Sequence, residues 1–312
     1  MSGTTPDFLQ ETALNTAEAF VAALRLTDPR WEPEPTMWCF RGEDRLYPKG
    51  IMPSALRPGA FARWHVAMVP HDPKREEWLV TQEFMHAIDE AGLEVPHDSH
   101  AIRDIRELFR IVFDEGTNEI VNWPPGQLLG ILALAQHYGI PTRLVDWSWK
   151  PLVAAYAAAA GPALGRDPGG AAYAPNEQLV VWAMQGFWIP FVQFGPAPHR
   201  FSVVTTPKAS NPNLAAQSGL FTLDREPSAD VGFQDVIEAA LRPNLPLFAE
   251  GLEKMFGFAP RFLPFMHRFT LPHSEAGRLL RILALEGVSA ATVYPGHKGV
   301  AQSLWEKRDH RR

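Results

Sequence analysis

Residues 128–160 (LLGILALAQHYGIPTRLVDWSWKPLVAAYAAAA) constrain the fold more than any other stretch of the chain. Leu128, Leu129, Ile131, Leu132, Leu134 and Ala135 predict a helix that is apolar almost all round, and such a helix is stable only when buried. Gly139 supplies the left-handed residue that commonly ends a helix, and Pro141 prevents continuation. A second apolar helix is expected to start near Ser148 or Trp149, with Pro151 tolerated in its first turn, and to end at Gly161-Pro162. Residues 137–147 lie between them as a polar elbow. His137, Tyr138, Thr142, Arg143, Asp146 and Trp147 are concentrated there. Polar side chains on two rigid apolar supports are what a functional site needs.

The flanking sequence is read by its periodicity. Residues 5–26 carry Phe8, Leu9, Leu14, Ala17, Phe20, Val21 and Leu24 at helical spacing, and a proline-rich connector follows. Residues 37–42 (MWCFRG) predict a short strand ending in glycine. Residues 74–91 and 99–113 predict two amphipathic helices. The Gly-, Ala- and Pro-rich residues 161–177 predict an exposed loop. Beyond it the period changes. Strands are expected at 178–184, 201–205, 220–223, 266–271 and 289–293. Helices are expected at 233–256 (interrupted at Pro243 and Pro246), 274–286 and 299–307, with one helical turn over 211–219. Helices dominate the first half and strands the second. The fold class is therefore α+β: a helical N-terminal half packed on a mixed sheet built mainly from the C-terminal half, in one domain.

Composition excludes several classes. The 312 residues are 46 % hydrophobic and 21 % charged, with a formal net charge of −6. That balance is globular and argues against a broad nucleic-acid-binding surface. One cysteine, Cys39, rules out an intrachain disulfide. The first residues lack a basic start and an apolar core, and no apolar run approaches the ~20 residues of a membrane span. A cytoplasmic protein without a membrane partner is expected.

Each candidate site has two readings. Arg41-Gly42, at a strand end among apolar neighbours, suits a phosphate or ribose, or else forms a structural ion pair, for instance with Asp146. Asp146 serves a site or caps the helix after it. His137 is a catalyst or a satisfied helix-end residue. Gln217 faces the same cleft or belongs to a turn. No histidine pair has helix-borne metal spacing, so no metal is expected. Walker A, G-x-G-x-x-G and G-x-S-x-G motifs are absent.

Residues 38–43 (WCFRGE), 134–148 (LAQHYGIPTRLVDWS), 151–158 (PLVAAYAA), 216–221 (AQSGLF) and 293–301 (VYPGHKGVA) together resemble the FRG domain family, named for its Phe-Arg-Gly triplet. The resemblance spans about residues 38–306. It implies an N-terminal helix and connector over 1–35 and an FRG domain over 36–308, in a bacterial or phage protein of toxin or phage-defence type. The family layout is similar to that of ADP-ribosyltransferases. By that likeness NAD is the substrate, and a macromolecule of unspecified identity is the acceptor. Arg41, Gly42, Tyr138, Thr142, Arg143 and Trp147 would bind the dinucleotide, with Tyr138 or Trp147 stacked on nicotinamide. His137, Asp146 and Gln217 would be catalytic. Gln217 stands where many transferases carry glutamate, and Gly296-His297-Lys298 replaces the usual acidic residue after the proline. A binding module without turnover is therefore the alternative to an ADP-ribosyltransferase or NAD glycohydrolase.

Overall fold

The computed structural model describes residues 7–32, 35–66, 72–114, 116–117, 119–165, 172–174, 176–186, 200–205, 216–257 and 263–309. Among the described residues seven strands form one sheet: β1 (Leu9–Ala13), β2 (Cys39–Glu43), β3 (Leu144–Ser148), β4 (Gln178–Met184), β5 (Phe201–Val204), β6 (Gly219–Asp224) and β7 (Met266–Pro272). Their order is β1-β7-β4-β2-β3-β6-β5. The β1–β7 pair is parallel and all other neighbours are antiparallel. Four of the seven strands follow residue 177, so the expected α+β architecture holds.

Two groups of helices share one face of the sheet. Over the β2–β4–β7 end lie α1 (Ala17–Leu24), α6 (Pro151–Ala163) and α9 (Ala276–Leu285). They pack on Phe40, Leu179, Val181, Ala183, Phe269 and Leu271. Over the β3–β6–β5 end lies a layer made of α2 (Pro73–Glu90), α3 (His100–Arg103), α4 (Ile105–Val112) and α5 (Leu129–His137). Its core joins Trp78, Leu108, Ile131 and Leu132 to Leu144, Phe221 and Leu223. The opposite face carries Cys39, Val145, Trp147, Val180, Trp182 and Met184. It is covered by α7 (Phe233–Leu241), followed by α8 (Leu245–Phe256). The chain finishes with α10 (Ala290–Val293) and α11 (His297–Asp309). Among the described residues, no helix is long and apolar enough to cross a membrane.

Several expected elements change identity, each for a local reason. Leu9–Ala13 is an edge strand and the helix shortens to Ala17–Leu24, with the Thr16 hydroxyl accepting from the Ala19 amide at its start. Pairing with β7 overrides the helical spacing of Phe8 and Leu9. The helix expected over 99–113 is broken at Asp104, whose carboxylate caps α4 by accepting from the Arg106 and Glu107 amides. Most of the strand expected over 289–293 is instead a helix, Ala290–Val293, because Ser289 and Thr292 form a reciprocal capping box.

The elbow needs the largest correction. Residues 144–148 are strand β3, inside the sheet, and α6 begins only at Pro151. Asp146 therefore caps nothing. Gly139 does take the left-handed conformation, with φ of 81°. Pro243 lies in a 3-10 turn over Arg242–Asn244, and Pro246 sits in the first turn of α8. The turn expected over 211–219 lies outside the described residues up to 215, and residues 216–217 are helical.

Candidate functional site

Strand β2 pairs with β4 along five positions and β3 pairs with β6 along five, but β2 and β3 share a single one, Phe40 with Ser148. Beyond that position their facing edges are not paired with each other. The residues Phe40, Arg41 and Gly42 each use this arrangement differently. Side chains alternate along a strand. Phe40 is fully buried beneath α6. Gly42, on the same face, lies so close to α6 that a Cβ there would collide with the Ala154 carbonyl. Only glycine permits this approach. Arg41 leaves from the other face, beside Glu43 and Trp182, and its guanidinium occupies the space between the strands.

There the Arg41 Nη1 donates to the Asp146 carbonyl at 3.2 Å and to its carboxylate. Its Nε and Nη2 donate to Glu43 Oε1 at 3.3 and 2.9 Å. Glu43 also accepts from Arg57 Nη2 at 3.0 Å and, through Oε2, from the Trp182 indole at 3.2 Å. Two guanidinium groups and two carboxylates cancel, so the assembly is neutral overall. The expected proximity of Arg41 and Asp146 holds, with a second carboxylate in attendance. A strand period of two places Glu43 beside Arg41 in the sequence itself, which is the signal that would have found it.

A cavity of about 170 Å³ opens above this assembly, in the crevice between the two helical groups. Its floor holds Phe40, Gly42, Asp146, Ser148 and Phe221. Val153, Ala154 and Ala157 of α6 form one wall, and Gln136 and His137 at the end of α5 another. Gln217 and Tyr294 complete it. The Asp146 side chain is 55 % exposed, against 8 % for Arg41. Burial opposes ionisation of Asp146, but the charge and hydrogen bonds of Arg41, with Gln136, outweigh it and hold the carboxyl below its ordinary value. Burial lowers the His137 pKa, and Asp146 opposes this without reversing it. The imidazole is thus neutral near pH 7 and able to accept a proton. Burial, with Asp146 and Glu306, raises the Tyr294 pKa, so its hydroxyl stays protonated.

Arg41, Gly42, His137, Asp146 and Gln217, from separate segments, all line this one cavity. The other four expected site residues take different places. Arg143 lies apart, 2 % exposed, with its Nε 2.7 Å from Glu77 Oε2. Its backbone amide donates to Glu77 Oε1 at 2.7 Å, and the Trp123 indole donates to Oε2 at 2.8 Å. That buried set ties the start of β3 to α2. Tyr138 is 65 % exposed outside the cavity, its ring against His137. Trp147 is on the wall, but its indole leaves through the opposite face, donating to Thr222 Oγ1 at 2.9 Å. Strand alternation requires this once residues 144–148 are a strand. Thr142 is fully buried.

The Thr142 hydroxyl donates to Gln136 Oε1 at 2.7 Å, and Ser54 Oγ donates to the same oxygen at 3.0 Å. The Gln136 amide is thereby turned so that Nε2 donates to Asp146 Oδ1 at 3.4 Å. Gln136 was legible as a lone amide in an apolar helix. Gln217 uses its own Nε2 on the Val293 carbonyl, at 3.3 Å, which fastens the segment before β6 to α10. Cys39 is fully buried and burial pushes its thiol pKa far up, so it is unreactive.

Residues 36–164 match the family model of the FRG domain. The chain carries an FRG domain. No curated protein and no solved structure matches the chain. The FRG match includes β2, β3, α5 and α6, hence the Phe-Arg-Gly triplet, Gln136, His137 and Asp146. Gln217 and Tyr294 reach the FRG cavity from beyond it. Among the described residues no group of three His, Cys, Asp or Glu is placed to hold a metal ion.

Proposed function

We propose that the FRG cavity receives the nicotinamide–ribose end of NAD and that the protein cleaves the glycosidic bond, as an ADP-ribosyltransferase-like enzyme or an NAD glycohydrolase. One observation carries this reading. Asp146 is a carboxylate open to a cavity of mixed polar and apolar lining, kept ionised and aimed by a guanidinium behind it. When the bond from ribose C1′ to the pyridinium nitrogen breaks, its electron pair goes to nitrogen and neutral nicotinamide leaves. Positive charge develops on the ribose, and a fixed carboxylate stabilises it. Water or an acceptor hydroxyl then attacks C1′ and gives its proton to neutral His137.

Size decides how NAD is placed. Pockets for drug-sized ligands run roughly 300–1,000 Å³, whereas the described walls enclose about 170 Å³. One ring fits, so the nicotinamide fills the cavity with its ribose at the mouth, and the adenosine half lies outside. In this reading Arg41 is a positioning residue for Asp146 instead of the phosphate ligand suggested by the sequence, because its Nε, Nη1 and Nη2 already donate to Asp146 and Glu43. A toxin or phage-defence role would follow from depletion of NAD and rests on the family resemblance alone.

Binding without turnover is the second reading, and Gln217 favours it. Its amide cannot ionise, and its Nε2 is engaged by the Val293 carbonyl. Incubation of the pure protein with NAD, followed by mass spectrometry for nicotinamide, separates the two. The enzyme reading expects release, abolished by Asp146→Asn with NAD binding retained. NAD binding without release supports the module. No binding at millimolar NAD and no nicotinamide after overnight incubation would remove NAD altogether.

A further inference from the structure

A second cavity, of about 340 Å³, lies within the α2–α4 layer, on residues that the NAD reading does not use. Its walls are apolar: Met85 on α2, Val95 in the connection, Ile102 on α3 and Ile105 on α4. Gln82, one turn before Met85, also lines it. Gln82 is 9 % exposed, and neither its Oε1 nor its Nε2 has a hydrogen-bond partner among the described residues. Native proteins keep few buried polar groups unpaired, because the desolvated amide is left uncompensated. A carboxamide holding both a free donor and a free acceptor against an apolar cavity of ligand size is a recognition element without its counterpart.

The mouth limits which molecules enter. Arg103 Nη1 is 2.7 Å from Asp89 Oδ2, and its Nε is 2.7 Å from Asp98 Oδ1. Two carboxylates on one guanidinium give that cluster a net charge of −1 beside His86, which disfavours phosphates and nucleotides.

We infer that this cavity is a binding site for a small, uncharged, largely apolar ring carrying a lactam-type edge, an N–H beside a C=O. That edge is the hydrogen-bonding complement of a carboxamide: the ring N–H donates to Gln82 Oε1, and the ring C=O accepts from Nε2. Both amide atoms are sealed from solvent, so occupancy swings the Gln82 side chain into another staggered rotamer that presents its amide edge to the cavity.

The test is titration of the full chain, by calorimetry or ligand-observed NMR, with 2-quinolone and with 1-methyl-2-quinolone, which lacks the donor. We expect saturable binding of 2-quinolone, weakened about tenfold or more by N-methylation, the size of one lost hydrogen bond. Gln82→Met, close in shape, should weaken 2-quinolone by more than N-methylation does, since it removes both hydrogen bonds, and should weaken 1-methyl-2-quinolone by less, since only the carbonyl contact is lost. Ile105→Trp, at a position 49 % exposed and so tolerant of bulk, should close the mouth and abolish both. Equal affinity for the two probes, an unaffected Gln82→Met variant, or no binding at millimolar probe would each overturn the assignment.

Discussion

Arg41 and Asp146 leave nominally opposite faces of the sheet and still meet, because β2 and β3 share only one paired position and the guanidinium lies in the space beyond it. The ion pair takes the place of strand pairing there. Its two acceptors differ. Glu43 is 3 % exposed in its side chain and serves two arginines and a tryptophan. Asp146 is 55 % exposed.

From that asymmetry, Glu43→Gln should destabilise the fold by about 3–5 kcal/mol, the usual cost of leaving buried charge uncompensated. Asp146→Asn should cost only about 1 kcal/mol, since solvent screens an open carboxylate. Urea denaturation of both variants reads the difference. A larger loss for Asp146→Asn would contradict the proposed ranking.

Gly42→Ala should lower stability by about 1–3 kcal/mol or more, as an added methyl group must push α6 off the sheet. Because α6 forms a wall of the cavity, nicotinamide release should fall together with the melting temperature. A melting temperature equal to the wild type would show that the helix does not lie so close.

Arg143 makes the opposite prediction. Arg143→Met should cost about 3–5 kcal/mol by stranding Glu77, yet activity per folded molecule should be unchanged. Adding Glu77→Leu should not restore stability, because the Arg143 backbone amide and the Trp123 indole also donate to that carboxylate. Thermal melts and single-turnover assays of the double variant check both statements.

The pH dependence follows from two depressed values. For Asp146 the folded pKa lies below the ordinary 3.8, so its stabilising contribution is present above that value and is lost as pH falls through the folded one. The stability gap between wild type and Asp146→Asn should be constant near neutrality and close in strong acid. For His137 the folded value lies below 6.5, so nicotinamide release should be flat at neutral and alkaline pH and decline only as the pH drops under 6.5. A profile whose acid limb begins above pH 7 would exclude His137 as the base.

Much of this was legible in the chain. The apolar runs around Leu132 and Ala155, the glycine at 139 and the branched residues of 178–184 reported two buried helices and a central strand. The need of Arg41 for an anion, and Asp146 as that anion, came from the same reasoning. What failed did so where local pattern yields to tertiary pairing. Leu9–Ala13 and Leu144–Ser148 are too short and too mixed for periodicity to identify them as strands, and each gains its conformation from a neighbour far away in sequence, Met266–Pro272 and Gly219–Asp224. Misassigning 144–148 carried Trp147 and Arg143 into the site, since an elbow has no alternation to send them elsewhere.

The family match, residues 36–164, contains β2 and β3 but neither β4 nor β6. A polypeptide trimmed to that length would keep Phe40, Arg41, Gly42, His137 and Asp146. It would also lose the five-position partner of each strand and be left with one rung between the two. The recurring motif therefore marks where the chemistry is written, while the apparatus that gives it shape is spread over the remainder of the chain, down to an edge strand that begins at Leu9. Swapping the motif into another scaffold would transplant the letters without the page.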